Sequence, residues 1–187
     1  MTQTIGTLSA PQGMQEWQWI LIQVQLLLIK GGYKQATTLY MEDGAPGTRS
    51  ALDRLSKQLV AQGFCCRLSD QEEGRGYNLH IANDSHSLDR LELCLSGTLD
   101  VNQADLIHGQ LSGFPNSAIA AFIANEVIDP EELSQRVRVS AEYAFASFRL
   151  SKDHWQEELA TGKIWAQYIK NNAPELYKKY LTQFSEP

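Results

Sequence analysis

The sequence predicts an α+β protein: a small N-terminal sheet with helices, followed by an all-helical C-terminal half. Three observations predict it. Up to Asn83, helical and strand patterns follow in the order helix, strand, helix, strand, strand. Beyond Asn83 the strand signals stop and helix caps recur instead. Hydrophobic residues make up 43% and charged residues 20% of the 187 positions, the balance of a globular chain with a sizeable core. The expected organisation is a loose segment over 1–11, a small α/β unit over 12–83 and a helical region over 84–187. The two larger parts form either separate units or one continuous domain.

Trp17, Ile20, Leu21, Val24, Leu27 and Leu28 recur at helical spacing, and Gly31-Gly32 closes that helix. Trp17 and Trp19 also alternate around Gln18, so a buried strand is the competing reading. Ala36 to Met41 reads as a strand. A helix over about 48–62 follows, with Leu52, Leu55, Leu59 and Val60 apolar and Gly63 as its stop. Phe64–Leu68 and Tyr77–Ala82 bracket a polar Gly-containing loop and predict a hairpin. The expected sheet carries its helices on one face, with His80 on the polar face.

In the second half, Asp84 or Ser85 caps a helix that ends at Gly97, Asp100 caps another and Asn116 begins a third. Asp129-Pro130-Glu131-Glu132 places a cap, a first-turn proline and acids at the positive end of a helix dipole, predicting a helix to about Leu150. Ser151 caps the next helix, and Asn171-Asn172-Ala173-Pro174 breaks the chain before a last one.

A formal net charge of −6 disfavours broad binding to phosphate backbones. The three cysteines Cys65, Cys66 and Cys94 read as free thiols in a reducing compartment, which points to the cytoplasm. The apolar run Ile20–Ile29 is interrupted by Gln23 and Gln25 and is too short to cross a bilayer.

Gly44-Ala45-Pro46-Gly47-Thr48-Arg49-Ser50 resembles the phosphate-binding loop of nucleotide hydrolases. That loop needs G-x-x-x-x-G-K-[S/T], whose backbone N–H groups and lysine hold the phosphates. Arg49 stands where glycine belongs and Ser50 where lysine belongs, so one residue and the lysine are missing. Two readings remain: a connector between strand and helix, or a looser anion site built from Gly44, Gly47, Thr48, Arg49 and Ser50.

The region 100–126 resembles a degenerate helix-turn-helix, with Gly109 at the small position, Gly113 at the turn, and Ile119 and Phe122 apolar. No Lys or Arg lies between Asn116 and Pro130, where a recognition helix needs them. The same stretch resembles a group of prokaryotic proteins without an assigned activity that carry a His, a Leu-Gly-Tyr-Pro-like turn and an Ala-Phe. Here these are His108, Gly113-Phe114-Pro115 and Ala121-Phe122. Their cysteines after the proline are replaced by Asn116, Ser117 and Ala118, so no metal or thiol role carries over. His108, Gly113, Phe114, Pro115 and Asn116 stand as a candidate functional turn.

His154 and Glu158 lie four residues apart, a spacing shared by two-ligand metal faces and by ordinary solvated pairs; the latter reading is preferred, and no metal or cofactor is expected. No nucleophile motif such as Gly-x-Ser-x-Gly occurs. Aromatic residues interleave with basic ones from Tyr143 to Phe184, a pattern that serves core packing, a subunit interface or a single-stranded nucleic acid. The function expected is non-catalytic: an interaction or regulatory protein with a protein partner or a second copy. The alternatives are a nucleic-acid-associated regulator using 100–126 and a phosphate-ligand-binding protein or enzyme using 44–50.

Overall fold

The computed structural model describes residues 8–42, 47–70 and 76–184. The chain is α+β as expected, with its sheet near the N-terminus and helices throughout the second half. The elements are α1 (Glu16–Lys30), β1 (Ala36–Glu42), α2 (Thr48–Ala61), β2 (Cys65–Asp70) and β3 (Gly76–Ala82), then α3 (Ser85–Leu95), α4 (Val101–Leu111) and α5 (Asn116–Ile123). After a 3-10 turn (Pro130–Glu132) come α6 (Gln135–Arg138), α7 (Ala141–Phe145), α8 (Trp155–Asn172) and α9 (Pro174–Phe184).

Helix α1 is the hub. Its residues Ile22, Leu26 and Ile29 fall at i, i+4 and i+7 and pack on Leu39, Leu79 and Ile81 of the sheet, together with Leu52, Leu55 and Leu59 of α2. Its residues Ile20, Val24, Leu27 and Leu28 pack in the opposite direction, on Trp165, Ala166 and Ile169 of α8 and on Phe145 and Tyr180. Two apolar stripes on one helix make it hydrophobic nearly all round, as a central helix must be. The sequence displayed only the second stripe clearly, and the strand alternative is not realised.

The sheet is antiparallel with order β1-β3-β2, and β2 and β3 form the expected hairpin. Helices cover both of its faces, not one. Helices α1 and α2 lie on the Leu39/Leu79/Ile81 face, while α3 lies on the other face, over Ala36, Ala82 and Cys65. His80 belongs to that second face but is only 4% exposed, so the expected polar face is interior here. Its Nδ1 lies 3.0 Å from the Thr38 hydroxyl and its Nε2 3.0 Å from the Ser69 hydroxyl. Period-two patterning identified the two faces, but only the placement of α3 buried the part of the second one around Ala36, His80 and Ala82, while Tyr40 and Arg67 on that face stay exposed.

Other expectations also need correction. Residues 1–7 of the expected loose segment lie outside the described residues, whereas Leu8 packs on the sheet core and Pro11 is buried. The helix expected to run from Asp129 to Leu150 is instead a 3-10 turn and two short helices. Asp129 and Glu132 do form a reciprocal capping box. Ser140 then starts a new helix by accepting the Tyr143 N–H at 3.2 Å. Serine hydroxyls inside a helical pattern compete for backbone groups in this way. Ser151 does not directly cap α8, which begins at Trp155. It pairs as an isolated bridge with Val127, and its N–H and hydroxyl donate to Glu158 at 2.7 and 2.8 Å. Glu158 is 1% exposed, so the expected solvated pair with His154 is absent; the nearest carboxylate to His154 is Glu157, at 3.9 Å.

Candidate ligand-binding cleft

The connector between α1 and β1 is clamped from both ends. Gly32 adopts φ +75°, a conformation that favours glycine, and turns the chain out of α1. The N–H groups of Tyr33 and Lys34 both donate to the Leu28 carbonyl, at 2.9 and 3.3 Å. The Gln35 N–H donates to the Leu111 carbonyl at the end of α4, at 2.8 Å. Gly113, at φ +70°, lies so close that a Cβ there would stand 1.9 Å from the Tyr33 carbonyl oxygen. Glycine at position 113 is therefore required by its backbone conformation and by this contact.

The clamp holds Lys34 in the interior. The residue is 3% exposed, and its Nζ donates to the Ser147 hydroxyl at 3.2 Å. The same Nζ lies 4.5 Å from the centroid of the Trp165 ring and 5.3 Å from that of Phe114. No carboxylate pairs with it among the described residues, and burial alone pulls its pKa from 10.5 down to about 7.

Two clefts meet at this place. One, of about 440 Å3, runs between α1 and β1 with Trp17, Leu21 and Tyr40 on its walls and Lys34 in its lining. The other, of about 300 Å3, lies between α4, α5 and the segment 147–149, and includes Asp105, Phe122, Phe148 and Arg149. His108, Phe114 and Ser147 line both. Phe114 packs on Phe148 with centroids 5.2 Å apart, and Phe148 meets Trp165 edge-on at 6.0 Å, so the junction has an aromatic wall. His108 keeps part of its ring in solvent. Even so, desolvation by the cleft walls lowers its pKa and the nearby Lys34 charge lowers it further, against an opposing effect from Asp105. The junction therefore offers a lysine amine that is neutral in a large fraction near pH 7, a histidine whose pKa is lowered, a hydroxyl and apolar walls.

The candidate turn divides on inspection. His108 and Phe114 belong to the clefts, whereas Gly113 acts by holding the Lys34 connector in place. Pro115 and Asn116 start α5 and line neither cleft. Gly109 lets α5 approach α4, since a Cβ there would lie 2.7 Å from Ile119. In the other candidate loop, Gly44 lies outside the described residues. Gly47 caps α2 at φ +92°, Thr48 is buried, and Arg49 and Ser50 are exposed. Arg49 pairs with Asp70 and lies over the Tyr77 ring, so an anion at this loop would compete with a carboxylate already present. Neither cleft is lined by residues 47–50.

Sequence reasoning missed Lys34 and Ser147. The available signal was a lysine set between a Gly-Gly helix stop and a strand that opens on buried Ala36. Ser147 carried no local signal. Among the described residues no three His, Cys, Asp or Glu side chains are grouped to hold a metal ion, and no helix is long and apolar enough to cross a membrane. No protein-family model, curated protein or solved structure matches the chain.

Proposed function

We propose that this protein binds a small molecule with an apolar body and an oxygen-bearing head, the head held at Lys34, Ser147 and His108. The observation that carries this reading is Lys34: an amine 3% exposed, with no carboxylate partner among the described residues, lining one cleft and bonded to Ser147, which lines both. Burying an amine without a counter-charge costs stability, so a purely structural lysine here is disfavoured. A largely apolar cleft with a few convergent polar groups is the usual form of a ligand site. This is a non-catalytic binding role, with a small molecule in place of the protein partner or second copy that the sequence suggested.

A protein partner or second copy draws less support. The aromatic residues that suggested an interface include Phe145, Trp165 and Tyr180, which are interior. A nucleic-acid role for 100–126 also draws less, because α5 carries no basic side chain and its Phe122 lines a cleft. Free thiols at Cys65, Cys66 and Cys94 suit a cytoplasmic setting.

The test is thermal stability with phenylacetate and with octanoate, alongside the fluorescence of Trp165, whose ring faces the amine. Both ligands are expected to raise Tm, and Lys34→Met is expected to abolish the rise. A ligand at a hundred times its Kd adds about 2.7 kcal/mol, which is readily seen as a Tm shift. Equal shifts in wild type and Lys34→Met, or none in either, would sink the reading.

A further inference from the structure

We propose that Lys34 is a covalent anchor: its amine condenses reversibly with an aldehyde or ketone in the cleft to give an imine. This deepens the binding role proposed above and rests on it, because it names the oxygen-bearing head as a carbonyl.

The geometry supplies what the step needs. Lys34 lines the larger cleft, and its Nζ contacts Ser147, which lines both; the walls are largely aromatic and aliphatic, so a carbonyl compound with an apolar body is brought to the amine. Its neighbours are a hydroxyl at 3.2 Å and two rings, and no carboxylate pins it as a permanent cation. Burial therefore leaves a large fraction of the amine neutral, and hence nucleophilic, near pH 7. The Phe114 and Trp165 faces hold a cation at the same place, so they stabilise the protonated imine as well as the free ammonium.

The step balances without an oxidant or reductant. The Nζ lone pair forms the C–N bond, and the carbonyl π pair moves to oxygen, which takes a proton. The nitrogen gives up a proton to leave a neutral carbinolamine. Its oxygen takes a second proton, the nitrogen lone pair forms C=N as the C–O bond breaks, and water leaves; the protonated imine then loses its remaining N–H proton to give the imine. The sum is amine plus carbonyl giving imine plus water. His108 lines both clefts, exposed in part to solvent, and is the group placed to pass these protons.

The experiment incubates the full chain with benzaldehyde and, separately, octanal at pH 7 in the presence of sodium cyanoborohydride, which traps an imine as a stable secondary amine. Intact mass and peptide mapping then locate the adduct. Lys34 is expected to be trapped at least about tenfold faster than the surface lysines, because they are almost wholly protonated at this pH. Lys34→Met, which keeps the side-chain length and removes the amine, is expected to lose that fast adduct while retaining a wild-type circular dichroism spectrum. Phenylacetate added to wild type is expected to slow trapping at Lys34 alone, a control that needs no variant. Labelling spread evenly over surface lysines, with Lys34 untouched, overturns the proposal. If phenylacetate still raises Tm in that case, the binding site survives and only the covalent step is wrong. If neither ligand nor trap responds, both readings fall.

Discussion

Lys34 trades stability for a site. Its amine titrates near 7 in the folded protein and at 10.5 when exposed, because burial disfavours the charged form. The sign follows from proton counting. Between pH 7 and pH 10.5 the unfolded chain binds the proton and the folded one does not. Stability attributable to Lys34 therefore rises with pH across that window, and the full cost is present below it. Lys34→Met is expected to stabilise the protein by a few kcal/mol at pH 6, with the gain shrinking toward zero by pH 10. Urea unfolding of both forms at several pH values checks this; a gain independent of pH would mean that the folded amine keeps its proton as the unfolded one does, and that burial has not lowered its pKa. Gly162 is packed against backbone nearly as closely as Gly113. A Cβ there would lie 2.0 Å from the Glu142 carbonyl oxygen, so Gly162→Ala must push α7 from α8. A loss of about 1–3 kcal/mol or more is expected in the same assay.

At the scale of elements, α1 explains why its sequence was ambiguous. A helix buried on one side shows one stripe, but α1 carries Ile22, Leu26 and Ile29 toward the sheet and Ile20, Val24, Leu27 and Leu28 toward α8. Leu26 is fully buried, and Leu26→Ala is expected to cost about 2–5 kcal/mol. The segment after Asp129 shows the reverse case. Its capping box formed as the residues dictate, yet the helix stopped after one turn, and a new helix begins at Ser140, whose hydroxyl accepts the Tyr143 N–H. That interruption leaves Ala146 at φ −73°, ψ 76° and delivers Ser147 to the amine of Lys34. A continuous helix would have had no such bend.

Across the whole molecule, the sheet core and the helical core share α1 and so share its stability. Leu26→Ala lies on the sheet side, yet amides of β3 and α8 are expected to exchange faster together by hydrogen exchange. Acceleration confined to β3 would show that the helical core opens independently. The cleft has the same origin. Lys34 comes from the α1–β1 connector, His108 from α4, Phe114 from the α4–α5 turn and Ser147 from the bend after α7. No single element holds the site.

Local chemistry determined much of this protein in advance. Gly31-Gly32, Gly63 and Gly97 ended helices, Asp84 and Asp100 began them, and the polar Gly-containing loop between β2 and β3 paired those strands. These outcomes depend on a few neighbouring residues, so they are legible in order along the chain. His108 and Phe114 were visible for the same reason, as part of a recognisable turn. Burial on the second sheet face, the double use of α1, the break after Asp129 and the joining of Lys34 to Ser147 across 113 residues were decided only by tertiary packing. The physical reason is that desolvation, unlike capping or periodicity, is a property of what surrounds a residue in space: a lysine between a glycine turn and a strand becomes a depressed-pKa amine only when Trp165 and Phe114 close over it.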